Sequence, residues 1–180
     1  LHNIRNATAA AAVASTIGIS TKIIKQALKE FKGVQRRFNK IFTFKETIFF
    51  DDYAHHPTEI TQLLNGVRQS YKKEKIICVF QPHRISRINN LKKEFSYSFK
   101  KANNVILCPV FSAGEKLKLN FSYLDFAKKI IRNSKVNVFL VKNESQLAKY
   151  VKQNIYGKKI VIGMGVGSIS NWIRNLPKLI

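Results

Sequence analysis

The apolar positions of this chain fall into two kinds of run. From Lys75 to Phe80, Val105 to Cys108, Val136 to Val141 and Lys159 to Ile162 they are nearly continuous. Before and between these runs lie longer mixed segments, Pro57–Tyr71, Asn89–Ala102, Tyr123–Arg132 and Ser145–Asn154, with Ile169–Asn175 at the end, each predicted to be a helix. Short continuous apolar strands separated by helices predict an α/β fold with a mainly parallel sheet covered on both faces. Ahead of this alternation, Phe38–Phe44 and Thr47–Phe50 read as strands joined only by Lys45 and Glu46, a link short enough to favour an antiparallel hairpin.

The start of the chain is patterned differently. Asn6–Ile17 predicts a helix ended by Gly18. Ser20 is placed to cap a second helix whose Ile23, Ile24, Ala27, Leu28 and Phe31 share one face, and Gly33 lies just past its end. This places a boundary near Gly33, with residues 1–32 as the tail of a preceding domain and 33–180 as the α/β domain. The chain opens at Leu1 inside a helical pattern and is expected to be a fragment whose N-terminal part is missing.

Composition narrows the class. A chain of 180 residues, 45% hydrophobic and 11% aromatic, buries a globular core. No apolar run approaches the roughly 18 residues of a membrane span. The Ala-rich stretch from Ala7 to Ala14 lacks the cleavage pattern of a signal peptide. Cys78 and Cys108, far apart and each in an apolar run, read as buried thiols of a reducing cytoplasm rather than a disulfide or zinc set. The net charge of +22 comes from 32 basic residues, of which only eight are Arg. The lysines are spread over nearly every predicted helix. They read as solvated faces that attract small anions more than as a nucleic-acid surface, which would cluster Arg with exposed aromatics.

In a parallel sheet the turns after the strands share one edge, where ligands bind. Three such turns carry chemistry. In Asp51-Asp52-Tyr53-Ala54-His55-His56-Pro57, Asp52 is a candidate acceptor for ligand hydroxyls, Tyr53 offers a flat face or a hydroxyl, and His55 donates or carries charge near neutral pH. Capping of the next helix by Asp or Thr58 explains part of this run, and a metal explains another part. Adjacent residues of an extended loop point apart, however, and no third ligand stands at metal spacing. In Gln81-Pro82-His83-Arg84-Ile85-Ser86-Arg87, the two guanidinium groups with His83 form a donor set for a carboxylate or phosphate; a solvated basic loop is the alternative. Gly163-Met164-Gly165-Val166-Gly167-Ser168 lacks a full phosphate-loop fingerprint and serves equally as a close turn. At the other end of the chain, Asn3 and Asn6 offer amides to an adenine edge or simply cap a helix.

Five of these stretches, in order, resemble the Mur ligases of peptidoglycan synthesis: His-Asn-x-x-Asn-Ala from His2, Phe-Lys-Gly-Val-x-Arg-Arg-Phe from Phe31, Asp-Asp-Tyr-Ala-His-His-Pro-Thr-Glu from Asp51, Phe-Gln-Pro-His-Arg from Phe80 with Arg87, and Met-Gly-Val-Gly from Met164. Ser112-Ala113-Gly114-Glu115 belongs to the same likeness, with Ser112 and Ser168 as small departures. The resemblance implies the last helices of a central ATP-binding domain followed by a Rossmann-like C-terminal domain. It implies cytoplasmic, ATP-dependent joining of an amino acid to a UDP-sugar carboxylate through an acyl phosphate. The Gln-Pro-His-Arg stretch points to the member that adds L-alanine to UDP-N-acetylmuramate. A tripeptide-recycling ligase and a non-catalytic nucleotide- or anion-binding module are the alternatives. The resemblance also implies roles: Asn3 and Asn6 at adenine, Arg37 at the nucleotide, Asp52 at the ribose, and Tyr53, His55, His83, Arg84 and Arg87 around the alanine and the reacting carboxylates. No catalytic residue is assigned within the chain. Magnesium is expected to be held by residues outside it, since no Gly-x-x-Gly-Lys-Thr loop is present.

Overall fold

The structure, a computed structural model, describes residues 2–31, 33–115 and 121–180, with the side chains of His2 and Asn3 outside that description. It divides into two compact units, Leu1–Gln35 and Arg36–Ile180.

The first unit is a helix pair, α1 (His2–Thr16) and α2 (Thr21–Glu30). Gly18 takes φ +84° between them, the left-handed conformation that glycine adopts without strain. Ser20 occupies the cap position of α2, but its side chain makes no capping bond. The helix ends at Phe31, and Gly33 turns left-handed two residues later. The shared face predicted for α2 exists, yet α2 buries none of its residues, and Ile23, Leu28 and Phe31 are all exposed.

The second unit is a six-stranded sheet, β1 (Asn39–Phe44), β2 (Thr47–Asp52), β3 (Lys75–Phe80), β4 (Asn104–Leu107), β5 (Asn137–Leu140) and β6 (Lys159–Met164), in the order β1-β2-β6-β3-β4-β5. Among the described strands only β1 is antiparallel, joined to β2 by Lys45 and Glu46, both at positive φ as a two-residue hairpin turn demands. The expected α/β fold, with its N-terminal hairpin and otherwise parallel sheet, is therefore what forms. Alternate residues of each central strand feed opposite cores. Ile76, Cys78 and Phe80 face α3 (Pro57–Ser70), α4 (Ile85–Asn90), α5 (Lys92–Tyr97) and α6 (Tyr123–Ser134); Ile77 and Val79 face α7 (Glu144–Asn154) and α8 (Ile169–Asn175). One expected element is corrected: the helix read over Asn89–Ala102 is two short helices, α4 and α5, broken at Leu91. The first begins at Ile85, directly after Arg84.

Chain direction sets the faces. The progression β2 to β3 to β4 to β5 moves one way across the sheet, and its helices lie on one side. The return from β5 to β6 moves the other way, and right-handed crossover puts α7 on the opposite side. Strand β6 thus lies between β2 and β3, while its following helix α8 leaves on the face opposite α3 and α4. A crevice opens where neighbouring strands send their chains to opposite faces. Here it is bounded by the carboxyl ends of β2, β6 and β3, the strands that carry the three predicted turns.

Candidate functional site

The turn after β2 is built by two carboxylates. Asp52 Oδ1 accepts from Ala54 N at 2.8 Å and Oδ2 from Phe38 N at 2.8 Å, so one side chain braces both the turn and the segment entering β1. Glu59 Oε2 accepts from His55 N at 3.0 Å and His56 N at 3.1 Å. With the His56 ring accepting from Thr58 N, these form a capping box in front of Pro57. The cap is therefore His56 with Glu59, not Asp or Thr58 as the sequence suggested. Burial pushes the Asp52 carboxyl above its usual value against the pull of its two backbone donors and Arg37. Burial also pushes Glu59 upward, but the backbone donors of His55 and His56, helped by the charges of His55 and Arg37, outweigh it and leave Glu59 low.

Adjacent arginines at the start of this unit have different surroundings. Arg36 Nη1 donates to Val166 O at 3.1 Å, and Nη2 donates to Gly165 O. Its guanidinium lies over the Tyr53 ring at 4.8 Å, and its Nε is 3.9 Å from Asp51 Oδ2. Asp51 is fully buried; Oδ2 also accepts from Ser170 Oγ at 2.6 Å and Arg174 Nη2 at 3.2 Å, binding α8 to the same cluster. Arg37 is exposed, and its guanidinium stands 5.8 Å from the Tyr53 ring.

The other two turns interlock with the first. Gly165 N donates to Asp52 O at 3.3 Å, Gln81 Nε2 donates to Ser168 Oγ at 3.0 Å, and Ile169 N donates to Gln81 Oε1 at 3.1 Å. Glycine is needed at 165, where φ is +146° and a Cβ would sit 2.7 Å from Gln81 O. Arg84 takes φ 65° and is exposed. Arg87 lies on α4, its Nη1 3.3 Å from His83 Nδ1. An arginine only donates, so His83 Nδ1 accepts, and a neutral ring then carries its proton on Nε2. Burial, then the charges of Arg87, His55 and Arg84, hold the His83 pKa below its usual value, in keeping with that neutral form. Glu115 accepts from Ser86 N at 3.3 Å and from Ser86 Oγ, steadying the start of α4.

A row of rings runs from the turn after β2 through the turn after β3 to the segment after β4: Tyr53 to His55 at 5.3 Å, His55 to His83 at 5.9 Å, and His83 to Phe111 at 5.8 Å between centroids. His55 Nδ1 donates to Tyr53 O at 3.0 Å. The structure therefore brings Arg37, Asp52, Tyr53, His55, His83 and Arg87 to one edge, with Arg84 exposed on the same loop. Asn6 belongs to the other unit, and the Asn3 side chain lies outside the described residues. Sequence reasoning missed Arg36, Asp51, Gln81, Glu59 and Phe111. Asp51 and Arg36 were visible only as neighbours of residues chosen for their ligands; Gln81 and Glu59 were visible as motif members without a task. Among the described residues no group of three His, Cys, Asp or Glu is placed to hold a metal ion.

The arrangement is a sheet edge with several guanidinium groups, two imidazoles and one carboxylate with free lone pairs, suited to anionic ligands and to nucleotide hydroxyls. Among the described residues no helix is long and apolar enough to cross a membrane. Residues 36–167 match the family model described as Mur ligase, glutamate ligase domain. Over all 180 residues the chain is 68% identical to a UDP-N-acetylmuramate–L-alanine ligase of Pelagibacter ubique, covering 39% of that protein. It is 36% identical over 176 residues to the ligase of the same name from Bartonella tribocorum, covering 37% of it. In three dimensions 99% of the chain superposes on 37% of a UDP-N-acetylmuramate-alanine ligase from Thermotoga maritima, with TM-score 0.78 and 26% identity. The chain thus spans about two fifths of the length of the relatives it matches, and with residues 36–167 matching that family model it belongs to the Mur ligase family.

Proposed function

We propose that this chain is the carboxyl-terminal part of an ATP-dependent ligase that joins L-alanine to the lactyl carboxylate of UDP-N-acetylmuramate, a step of peptidoglycan precursor synthesis in the cytoplasm. The observation that carries this reading is the meeting of the Tyr53–His55 turn with the His83–Arg87 turn across the crevice, at the 5.9 Å separation of His55 and His83. The relatives' names support the choice of amino acid. On this reading residues 1–32 are the last helices of the central ATP-binding domain, in keeping with their uncovered apolar faces, and 33–180 are the domain that receives the amino acid.

The reaction converts the lactyl carboxylate to an acyl phosphate with the terminal phosphoryl group of ATP. The amine of L-alanine attacks the acyl carbon, and the tetrahedral intermediate collapses to an amide, releasing phosphate; the amine loses a proton overall. The work assigned to this chain is placement. Arg84 and Arg87 hold the alanine carboxylate, offset its repulsion from the other anions and aim the amine. His83, neutral with a proton on Nε2, donates a further hydrogen bond without adding charge. His55 and Tyr53 bound the space where the amine approaches. Arg37 offers its exposed guanidinium to the nucleotide, and each Asp52 oxygen, having accepted one N–H, keeps a lone pair for a ribose hydroxyl. Asn3 and Asn6 are assigned to the adenine. ATP supplies the phosphoryl group, and magnesium is assigned to residues of the preceding part.

The test is phosphate release by the full-length enzyme given ATP and UDP-N-acetylmuramate with either L-alanine or the tripeptide L-alanyl-γ-D-glutamyl-diaminopimelate. Release that depends on L-alanine is expected. Release with the tripeptide alone would replace this reading with the recycling ligase, and release with neither would favour a binding module.

A further inference from the structure

We propose that Phe111 sets the size of the amino-acid side chain that this site accepts. The inference rests on the functional reading above, because it takes the amino acid's carboxylate to lie at Arg84 and Arg87.

Phe111 follows β4 and belongs to none of the three turns, yet it is stitched to one of them. Phe111 N donates to Pro82 O at 2.8 Å and Arg84 N donates to Phe111 O at 2.9 Å, an isolated parallel bridge pairing Phe111 with His83. Its ring stacks on the His83 ring at an interplanar angle of 13°. It also fills the space over Gly167, where a Cβ would come 2.4 Å from Phe111 Cγ. The ring is thus held by the backbone bridge, by the imidazole and by a glycine that leaves room for it. Even so, 40% of Phe111 is exposed, whereas Phe49, Phe80, Phe95, Phe99 and Phe126 are at 0%. Folding does not bury it. It ends the row Tyr53–His55–His83–Phe111 as the one member with no polar atom.

An α-amino acid carries its carboxylate and its Cβ on the same carbon. Anchoring the carboxylate on Arg87, whose Nη1 lies 3.3 Å from His83 Nδ1, therefore brings the side chain close to the His83 ring, on which Phe111 stacks. A fixed apolar ring there favours a methyl group and, being unable to swing aside, excludes longer side chains. Size exclusion in an apolar pocket discriminates by roughly 10- to 200-fold per methylene, so removing the ring should relax selection by a measurable factor.

The experiment compares wild-type full-length ligase with Phe111→Ala and Phe111→Leu at saturating ATP and UDP-N-acetylmuramate, reading kcat/KM for L-alanine, L-valine and L-leucine. In Phe111→Ala the ratio of L-leucine to L-alanine kcat/KM should rise at least tenfold, on the order expected for lost size exclusion, with Phe111→Leu between the two and KM for ATP unchanged. A ratio unchanged in an enzyme that uses L-alanine overturns the role of Phe111 alone. A wild-type enzyme that does not use L-alanine overturns the functional reading, and the role of Phe111 with it. Should Phe111→Ala not fold, Phe111→Leu and Phe111→Val are judged by the same ratio.

Discussion

At the scale of residues, chemistry follows from surroundings more than from residue type. Arg36 and Arg37 are neighbours with the same side chain, but Arg36 spends its donors on Gly165 O and Val166 O while Arg37 faces solvent. Arg36→Ala should therefore destabilise the isolated chain by about 2 kcal/mol, the loss expected for charge-assisted bonds to partners left unpaired, as a shift of the urea midpoint. Arg37→Ala should leave that midpoint within about 0.5 kcal/mol and instead raise the KM for ATP of the full-length enzyme. Equal destabilisation by both would remove the distinction. Arg84→Ala in the full-length enzyme should lower turnover at saturating ATP at least tenfold, about 1.4 kcal/mol; an unchanged rate would take Arg84 out of the site. His83 adds a pH dependence. Its folded pKa lies below its ordinary value, so the unfolded chain takes up its proton first as pH falls. The stability linked to His83 is fully present above about pH 6.5, the usual histidine value, and is lost as pH falls through the lowered folded value. His83→Gln should flatten that part of the stability-versus-pH curve; a slope that does not change would show the ring titrating as it does in the unfolded chain.

At the scale of elements, the site depends on turns that tolerate little change. Gly165 combines a left-handed φ with a backbone carbonyl 2.7 Å from where a Cβ would stand. Gly165→Ala should lower the stability of the chain by roughly 1–3 kcal/mol, read by denaturant melting; a neutral result would mean that the β6–α8 turn shifts freely. Helix α3 has a second kind of dependence. Its first turn is organised by Glu59, whose carboxylate holds the backbone of His55 and His56. Glu59→Ala therefore removes a cap and loosens a ligand residue together. It should cost about 1 kcal/mol and raise the KM for L-alanine. The Glu59 pKa is lowered, so the stability it contributes is present above its usual carboxyl range and is lost as pH falls through the lowered folded value.

At the scale of the whole molecule, the two units differ in completeness. Unit Arg36–Ile180 has two cores, one on each face of its sheet, whereas α2 in the first unit buries none of its residues. The 180 residues contain no Gly-x-x-Gly-Lys-Thr loop. Purified alone, the chain should fold yet release no phosphate from ATP when given UDP-N-acetylmuramate and L-alanine. Turnover by the chain alone would contradict the division of labour proposed for the two parts of the enzyme.

The hydrophobic pattern alone determined the strands, most helices and the parallel character of the sheet, because burial on both faces demands continuous apolar runs such as Ile76–Phe80. The motifs likewise marked Asp52, Tyr53, His55, His83 and Arg87, because ionisable groups at strand ends stand out against that pattern. Two things were decided only in three dimensions. The break at Leu91 lies in a stretch whose apolar residues remain in helical register, so periodicity does not report it. The partnerships of Arg36 with Gly165 and Val166, of Gln81 with Ser168 and of Phe111 with His83 join residues separated by up to 130 positions. The first two exist because β6 enters the sheet between β2 and β3, and the third because β4 pairs with β3. Strand order depends on the handedness of the crossovers and on the packing of two faces at once, and neither is written in any local stretch of the chain.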